Sequence, residues 1–297
     1  MRKDIEQAVE LLQSGGDEAT EKALGLLQNT VFAFSMRVCG HREDAEDTMQ
    51  EVLVKSVPQL PKFDSPRALV VWLYKVAKTR CLMSRRRSKF APARDLSLEE
   101  LMPDRRQLEL LSAQSANPEA FAIRSEQAGR LREAIQRLPA PYRIVLVLRD
   151  MEGLGDDEVA EITGLRPGTV RVRLHRARLF VRKEVMKLGN PGGRRKPPTP
   201  LLAATDSNRS RCKALFAELS NYLDEELDDS FCAQLTQHMD GCEPCKVFLA
   251  SLEETIESCR NDPAQCPSPA TIRRLRGELM HSYRQAVAAL QSRPASS

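Results

Sequence analysis

Apolar residues recur along this chain with the three- and four-residue spacing of amphipathic helices. In the segment HREDAEDTMQEVLVKSVPQL, one helical face carries the apolar residues Ala45, Met49, Val52 and Leu53. The runs VVWLYKV and RIVLVLR have the composition of strands, but each lies inside a longer helix-like stretch without turn residues at both ends. The pattern therefore predicts an all-α protein.

Polar, Pro-rich and Gly-rich stretches separate the helical segments. A polar stretch with little apolar periodicity follows the first helices, and we expect it to be a flexible linker. The stretch GNPGGRRKPPTPLLAATDSNRS has the composition of a second linker. The chain is thus predicted to contain two helical domains (1–90 and 119–188), a cysteine-bearing unit (211–262) and a C-terminal helix and tail (263–297), joined by linkers at 91–118 and 189–210.

The segment 154–187 has the pattern of two short helices joined by a tight turn. The first begins near Gly155, with Glu158 at the position of a capping-box acid, and Gly164 breaks it. In the second helix the residues on one face are apolar: Val170, Leu174, Ala177 and Val181. The opposite face carries Val172, His175, Arg176, Leu179 and Arg182.

This second helix is strongly basic. Between Arg166 and Lys187 the chain has eight Arg or Lys residues and one acid, Glu184. A helix that lies against DNA phosphates needs such an excess of positive charge. A basic amphipathic helix at an RNA or membrane surface is the alternative, but such helices rarely follow a helix and a glycine-centred turn. The pattern favours a helix-turn-helix whose second helix recognises DNA.

Length and charge narrow the class of protein. The 297 residues carry a net charge of only +4, so the basic character is local. No apolar run approaches the ~20 residues of a membrane span, and MRKDIEQAVELLQSGG is an acidic amphipathic helix rather than a signal peptide. We therefore expect a cytoplasmic protein. Its eight Cys residues are then expected to be reduced thiols and metal ligands rather than disulfides.

Two helices of the first domain have patterned polar faces. One has an acidic stripe, either a solvated surface or a docking surface for a basic partner, formed by Asp44, Asp47, Gln50 and Glu51. The next places aromatic and basic residues together: Trp72, Tyr74, Lys75, Lys78 and Arg85. Such a face suits single-stranded DNA, because aromatic rings can stack on unpaired bases while cations bind the phosphate backbone. The alternative is an ordinary helix face with half-buried rings and solvated cations. The second basic module downstream favours the DNA-binding interpretation, because two linked modules can bind two separated DNA elements.

Three motifs in order resemble a bacterial RNA polymerase sigma factor of the extracytoplasmic-function (ECF) type. They are GHREDAEDTMQEVLVKS, FDSPRALVVWLYKVAKTRCLMSRRR and LPAPYRIVLVLRDMEGLGDDEVAEITGLRPGTVRVRLHRAR. The resemblance covers regions 2 and 4 of that family, at residues 5–90 and 120–187, and leaves no room for a region 3 domain. It implies that the chain binds core RNA polymerase and promoter DNA.

The resemblance also implies a role for each polar face. Region 2 would bind core polymerase through Asp44, Asp47, Gln50 and Glu51. It would melt and read the −10 element through the loop Pro61–Pro66 and the helix after it, with Phe63, Trp72, Tyr74, Lys75, Lys78 and Arg85. Region 4 would read the −35 element through Thr169, Arg171, Val172, His175 and Arg176. Val172 is apolar and can contact a thymine methyl, whereas Leu179 is expected to contact protein.

The cysteine-bearing unit contains the pattern Cys212-x25-His238-x3-Cys242-x2-Cys245. A Cys-x-x-Cys turn with a His one helical turn earlier places three ligands around one point, and Cys212 completes a tetrahedral set. Three thiolates without a carboxylate are typical of a closed structural site for zinc or another thiophilic ion. The metal would supply much of the folding energy of so small a unit. A redox Cys-x-x-Cys is disfavoured because the βαβ context is missing.

The same unit resembles the zinc-binding anti-sigma fold in its first Cys, its LSNYLDEEL segment and its H-x3-C-x2-C motif. In that family the module clasps its sigma factor and blocks polymerase binding. Here the module is part of the same chain. We therefore expect it to fold back on regions 2 and 4 and to modulate them in response to metal or oxidant.

The remaining cysteines give weaker signals. Cys39 and Cys81 lie in helical segments and are expected to be small core residues. A second metal-responsive set is a further hypothesis, formed from Cys259 and Cys266 with Cys232 or His281.

Two other classes of protein compete with the sigma factor. A DNA-binding regulator that never contacts polymerase needs a dimerisation surface and palindromic half-sites, and it leaves the polar faces of the first domain without a role. A metalloenzyme is disfavoured because the sequence has no Gly-rich phosphate loop, no Ser/His/Asp arrangement and no open metal site. The sequence therefore favours a non-enzymatic sigma factor.

Overall fold

The structure is a computed structural model that describes residues 3–63, 65–86, 95–102, 124–189, 212 and 215–291. Within these ranges every regular element is a helix, which confirms the predicted fold class. The chain forms two compact units, each assembled from segments that are distant in sequence. Unit 1 contains Met1–Ala93, Val147–Pro167 and Pro263–Ser297, and unit 2 contains Arg94–Leu146 and Gly168–Asp262.

The helices are numbered in chain order. They are α1 Lys3–Ser14, α2 Asp17–Cys39, α3 Arg42–Ser56, α4 Pro66–Arg86, α5 Leu98–Leu101, α6 Arg124–Arg137, α7 Ala140–Leu146, α8 Asp156–Thr163, α9 Pro167–Gly189, α10 Leu219–Leu223, α11 Asp229–Gly241, α12 Glu243–Arg260 and α13 Pro269–Gln291. A 3₁₀ helix, Val57–Lys62, follows α3, and one π turn, Val147–Met151, follows α7. Among the described helices, none combines the length and the hydropathy that a bilayer crossing requires.

The core of unit 1 is built from α2, α3 and α4, which pack on one another. Most of the central part of α2 is buried, and the predicted inward face of α3 is buried as well: Ala45, Met49, Val52 and Leu53. Gly40 ends α2 with φ 83°, a left-handed conformation that glycine adopts without steric cost. Cys39 and Cys81 are both buried, with their sulfur atoms 2.9 Å apart, as expected of small core residues.

Two segments from later in the chain complete unit 1. Helix α8 packs on α4, and α13 packs on α2, α3 and the 3₁₀ helix. Helix α13 contributes an apolar face that is buried: Leu275, Leu279 and Met280. The start of α8 is capped as predicted, because the Glu158 carboxylate accepts a hydrogen bond from the Gly155 amide at 2.9 Å.

Unit 2 contains α5, α6, α7, α10, α11, α12 and all of α9 except its first residue, Pro167. The predicted apolar face of α9 is buried throughout: Val170, Leu174, Ala177 and Val181. Part of the predicted first linker is structured. Leu96 and Leu101 are buried beside and within α5, and the Leu96 amide donates to the Tyr142 hydroxyl at 3.2 Å. The burial of these two leucines orders a short part of a segment that, from its polar composition, is predicted to be a flexible linker. The second predicted linker, after Gly189, lies outside the described residues.

Candidate nucleic-acid interface and metal centre

Two of the residues implied in −10 recognition form an aromatic pair. Phe63 follows the 3₁₀ helix and Trp72 lies on α4, and both rings are half-buried with centroids 5.7 Å apart. Rings that are only partly covered retain a face on which a base can stack. Asp64, in the implied loop, and the side chain of Arg85 lie outside the described residues.

Tyr74 lies elsewhere than the sequence predicts. It is 1% exposed, so the expectation that it lies on the outer face of α4 is wrong. Its hydroxyl donates to Glu152 Oε2 at 2.6 Å, and Arg37 contacts Glu152 Oε1 at 2.7 Å. Its ring packs edge-on against Phe34. The helical phase of α4 gives no sign of this, because the covering carboxylate comes from a segment far along the chain.

The two lysines of α4 are also paired within unit 1. Lys75 Nζ lies 2.9 Å from Glu161 Oε1, and Lys78 Nζ donates to the backbone carbonyl oxygen of Ile162 at 2.6 Å. Burial lowers the pKa of Lys78, and the positive charge of Lys75 acts in the same direction. Both ammonium groups thus face α8.

The acidic face of α3 is partly accessible. Asp47 is exposed, whereas Asp44, Gln50 and Glu51 are half-buried. Glu51 binds Lys55 at 2.7 Å and Arg80 at 2.5 Å. The hydrogen bond from Lys55 is the largest cause that lowers the pKa of this carboxyl.

Helix α13 and the residues before it contact this part of α3. Arg274 donates to Gln50 Oε1 at 3.3 Å, and the Thr271 hydroxyl donates to Glu46 Oε2 at 2.7 Å. Burial alone would raise the pKa of Glu46, but hydrogen bonds from Thr271 and from the Ser268 amide bring it below its ordinary value. One residue implied in polymerase binding, Gln50, is therefore already bonded within unit 1.

Further basic residues of α13 reach acidic residues of α2. Arg284 binds Asp17 through two hydrogen bonds of 2.7 and 3.1 Å, and Arg276 pairs with Glu21. These pairs are exposed, and each contributes roughly 0–1 kcal/mol. The buried apolar face of α13 therefore supplies most of the stabilisation, and the charged pairs set its register.

The residues of α9 implied in −35 recognition fall into two groups. Thr169, Arg171 and Val172 are exposed, and Arg176 is half-buried. His175 is only 6% exposed. The expectation that His175 points away from the core is therefore wrong, because it is buried in unit 2 together with Arg182. Leu179, which the sequence predicts to contact protein, is buried as well.

Residues 215–262 cover this part of α9. Arg178 Nη1 and Nη2 donate to the two carboxylate oxygens of Asp224 at 2.6 and 2.9 Å. The Arg182 guanidinium lies 3.6 Å from the centre of the Phe248 ring, and its Nε donates to the Ser251 hydroxyl at 2.6 Å. Burial lowers the pKa of Arg182 to about 9, which leaves it charged at neutral pH.

His175 is part of the same contact. Its Nδ1 lies 2.8 Å from the Ser220 hydroxyl, and its ring packs edge-on against Phe216. Burial lowers its pKa to about 4, and the charges of Arg178 and Arg176 act in the same direction. The imidazole is therefore neutral at pH 7.

The acidic LSNYLDEEL segment supplies much of this cover. Besides Asp224, it provides Glu226, whose Oε2 lies 3.8 Å from Arg171 Nη1. Its carboxylates face two arginines of the basic helix, Arg178 and Arg171, of which Arg171 is implied in −35 recognition. Sequence reasoning did not identify the individual covering residues Ser220, Asp224, Phe248 and Ser251. One feature of the sequence points to such a cover: the acidic LSNYLDEEL segment lies in the same chain as the strongly basic helix α9.

The predicted metal ligands meet in unit 2. One ligand atom from each of four residues lies within 4.8 Å of the others: Cys212, His238, Cys242 and Cys245. Cys212 Sγ is 3.3 Å from His238 Nε2 and 3.6 Å from Cys245 Sγ. Ligands of a tetrahedral zinc at about 2.0–2.3 Å stand roughly 3.5 to 3.8 Å apart. The donor set and its spacing therefore fit a thiophilic metal ion.

Two consecutive helices position three of these ligands. His238 lies in the last turn of α11, and Cys242 and Cys245 lie at the start of α12. Burial raises the pKa of each of the two thiols of Cys212 and Cys245 above the ordinary value, which favours their neutral form. A metal ion reverses this effect, because thiolates bind it as anions.

The second metal-responsive set stays a prediction, because Cys232 and Cys259 belong to unit 2 whereas Cys266 and His281 belong to unit 1. Across the ranges that the structure describes, no other group of three or more His, Cys, Asp or Glu ligands converges. The four candidates occupy separate elements, since Cys232 lies on α11, Cys259 on α12, Cys266 in the following turn and His281 on α13.

Comparison with known proteins agrees with this geometry. The family model "Sigma-70 region 2" matches residues 25–90, and "Sigma-70, region 4" matches residues 128–181. The ECF RNA polymerase sigma factor SigW of Bacillus subtilis is 27% identical over 63% of this chain and 100% of its own length. The RNA polymerase sigma-H factor of Pseudomonas aeruginosa is 29% identical over 62% of this chain and 94% of its own. SigD of Mycobacterium tuberculosis is 32% identical over 49% of this chain and 65% of its own length.

Proposed function

Because the chain belongs to the extracytoplasmic-function family of RNA polymerase sigma factors, we propose that it directs transcription initiation while its own C-terminal residues restrain it. As a sigma factor it brings core polymerase to particular promoters in the cytoplasm and is not an enzyme. A helix-turn-helix regulator independent of polymerase is not favoured, since similarity extends over region 2 as well as region 4 and over entire sigma factors.

Three surfaces carry out the proposed role. The exposed Asp47, with Asp44, Gln50 and Glu51, binds core polymerase, while Phe63 and Trp72 stack on bases of the melted −10 strand. Lys75 and Lys78 hold that strand through its phosphates. Arg171 and Arg176 of α9 contact the −35 element.

The restraint is supported by one observation above all: the buried bidentate pair of Arg178 and Asp224. Because the Arg178 side chain in this pair is only 1% exposed, its guanidinium cannot reach a DNA phosphate while the pair is intact. Together with this pairing, burial makes three polar residues of α9 inaccessible to DNA: His175, Arg178 and Arg182. We propose that residues 211–262 mask the −35 reader.

A second restraint acts on region 2. Helix α13 covers part of α3, and Arg274 binds Gln50 directly. Polymerase binding at this face would require α13 to move or to share it. Asp47 remains exposed and offers polymerase a first contact.

Zinc is the metal that we propose for the four-ligand cluster. Three thiolates and one imidazole in a tetrahedral arrangement are a common structural zinc set. The ligands come from the residues before α10, from α11 and from α12, so the metal would hold these elements together. Loss of the metal would loosen the residues that cover α9.

Run-off transcription tests the sigma-factor role directly. Core polymerase is supplied with the purified full chain and a genomic promoter library, and transcripts are sequenced. We expect initiation at a discrete set of promoters, and Asp47→Lys should abolish it by reversing charge on the polymerase face. Glu10→Lys, on the exposed side of α1, is the matched control. If the Asp47→Lys variant initiates at the same promoters as the unaltered chain, α3 does not carry the polymerase-binding face. If no promoter-specific initiation occurs under any condition, the chain does not act as a sigma factor.

A further inference from the structure

The last turn of α8 lies on the face of α4 that carries Lys75 and Lys78. Lys75 contacts the Glu161 carboxylate at 2.9 Å, and Lys78 donates to the Ile162 carbonyl oxygen at 2.6 Å. Carbonyl groups at the C-terminal end of a helix carry partial negative charge, because they lack an intrahelical partner. Each lysine is therefore matched with an anionic or partly anionic oxygen.

This contact is anchored at its other end by a buried charge. The side chain of Glu152, four residues before α8, is 0% exposed and accepts hydrogen bonds from Arg37 and Tyr74. A buried carboxylate is stable only when it is paired, so this segment is attached to α2 and α4 in a defined position. The salt bridge and the carbonyl contact of α8 are thus part of a fixed arrangement.

We propose that the C-terminal turn of α8 is an internal mimic of the DNA phosphate backbone. It occupies Lys75 and Lys78 until a single DNA strand displaces it. This inference rests on the proposed role of these lysines in holding the −10 strand.

The mimic is separate from the cover over α9. All of its residues lie in unit 1, whereas the four metal ligands and the residues that cover α9 lie in unit 2. Its ligand is the sugar–phosphate backbone of single-stranded DNA, which lysines bind without reading sequence. A strand of arbitrary sequence is therefore a suitable probe.

Fluorescence anisotropy of a labelled 20-nucleotide oligo(dT) with the full chain tests the mimic. Glu161→Gln keeps the shape of the side chain but removes its charge, and we expect about two- to fivefold tighter binding, because the ion pair is exposed. Asp157→Asn removes the same charge from an exposed position on the same helix and is the matched control. In a Lys75→Ala background, Glu161→Gln should have no more effect than Asp157→Asn.

The outcomes separate this inference from the proposed function. If Lys75→Ala and Lys78→Ala do not weaken oligo(dT) binding, the proposed DNA role of these lysines fails. If they weaken it, but Glu161→Gln behaves like Asp157→Asn, the mimic alone is refuted. Hydrogen exchange gives an independent readout: bound oligo(dT) should increase amide exchange in Asp156–Thr163. Unchanged protection of α8 with oligo(dT) bound would overturn the displacement.

Discussion

Arg178 and Asp224 join the basic helix α9 to the acidic segment after α10 through two hydrogen bonds, of 2.6 and 2.9 Å, between side chains only 1% and 5% exposed. Arg260 approaches the same carboxylate at 3.3 Å. A paired arginine of this kind has exchanged water for a protein partner. Any DNA that uses Arg178 must therefore first break this pair and expose its carboxylate.

Removal of the carboxylate charge should destabilise unit 2. Asp224→Asn leaves Arg178 buried without a counter-charge, and we expect the free energy of unfolding to fall by about 3 kcal/mol. Urea unfolding of the full chain, followed by circular dichroism, measures this change. Asp229→Asn, at an exposed position on α11, is the control and should change little. Equal stability of the two variants would show that the pair contributes nothing to the fold.

The stability of unit 2 should depend on pH through His175. Its pKa falls from 6.5 in the unfolded chain to about 4 in the folded one, so the unfolded state binds more protons between these values. The stabilisation is complete above pH 6.5 and is lost as the pH falls toward 4, by up to about 3 kcal/mol. In urea titrations at several pH values, His175→Gln should flatten this slope. If the free energy of unfolding of His175→Gln depends on pH as steeply as that of the unaltered chain, other groups cause the pH dependence.

Removal of the metal should open the DNA-binding face of α9. Cys242→Ser deletes one ligand, and we expect loss of bound zinc, loss of helical signal from residues 211–262 and tighter binding to duplex DNA. Zinc per chain, circular dichroism and fluorescence anisotropy measure the three effects. Cys232→Ser changes a cysteine outside the cluster and should retain the metal. If zinc is lost but DNA binding does not increase, the metal does not hold residues 211–262 over α9.

Arg171 should contribute to −35 recognition. It is exposed near the start of α9, and Arg171→Ala should weaken promoter binding of the polymerase complex by about 1–3 kcal/mol if it contacts a base edge. Binding to duplexes with single substitutions in the −35 element shows which base it reads. Lys187→Ala, near the other end of α9, is the control. If both variants bind every duplex alike, Arg171 does not read sequence.

Local features of this fold follow from the sequence because their causes are local. The cap of Glu158 on Gly155, the buried face of α9 and the four metal ligands each depend on spacing within a short segment or on a recognisable ligand pattern. The orientation of Tyr74 and His175 is different, since it depends on which distant segment covers them. Helical phase places both residues on the polar side of their helices, and contacts with distant residues such as Glu152 and Ser220 bury them.

The same reason explains the division into units. The sequence divides the chain at stretches rich in Pro, Gly and polar residues, whereas each compact unit combines segments from both ends of the chain or from either side of a predicted linker. The sequence predicts a C-terminal helix at this place, but it does not identify α2 and α3 as the partners of α13.

If the C-terminal residues restrain transcription through α9, loss of the Arg178–Asp224 pair should increase promoter activity. The decisive measurement is run-off transcription with core polymerase and promoters recovered from the genomic library, in which Asp224→Asn is compared with Asp229→Asn. We expect several-fold more transcript with Asp224→Asn at equal bound polymerase. Equal transcript from both variants and the unaltered chain, with Asp224→Asn still folded, would contradict this expectation.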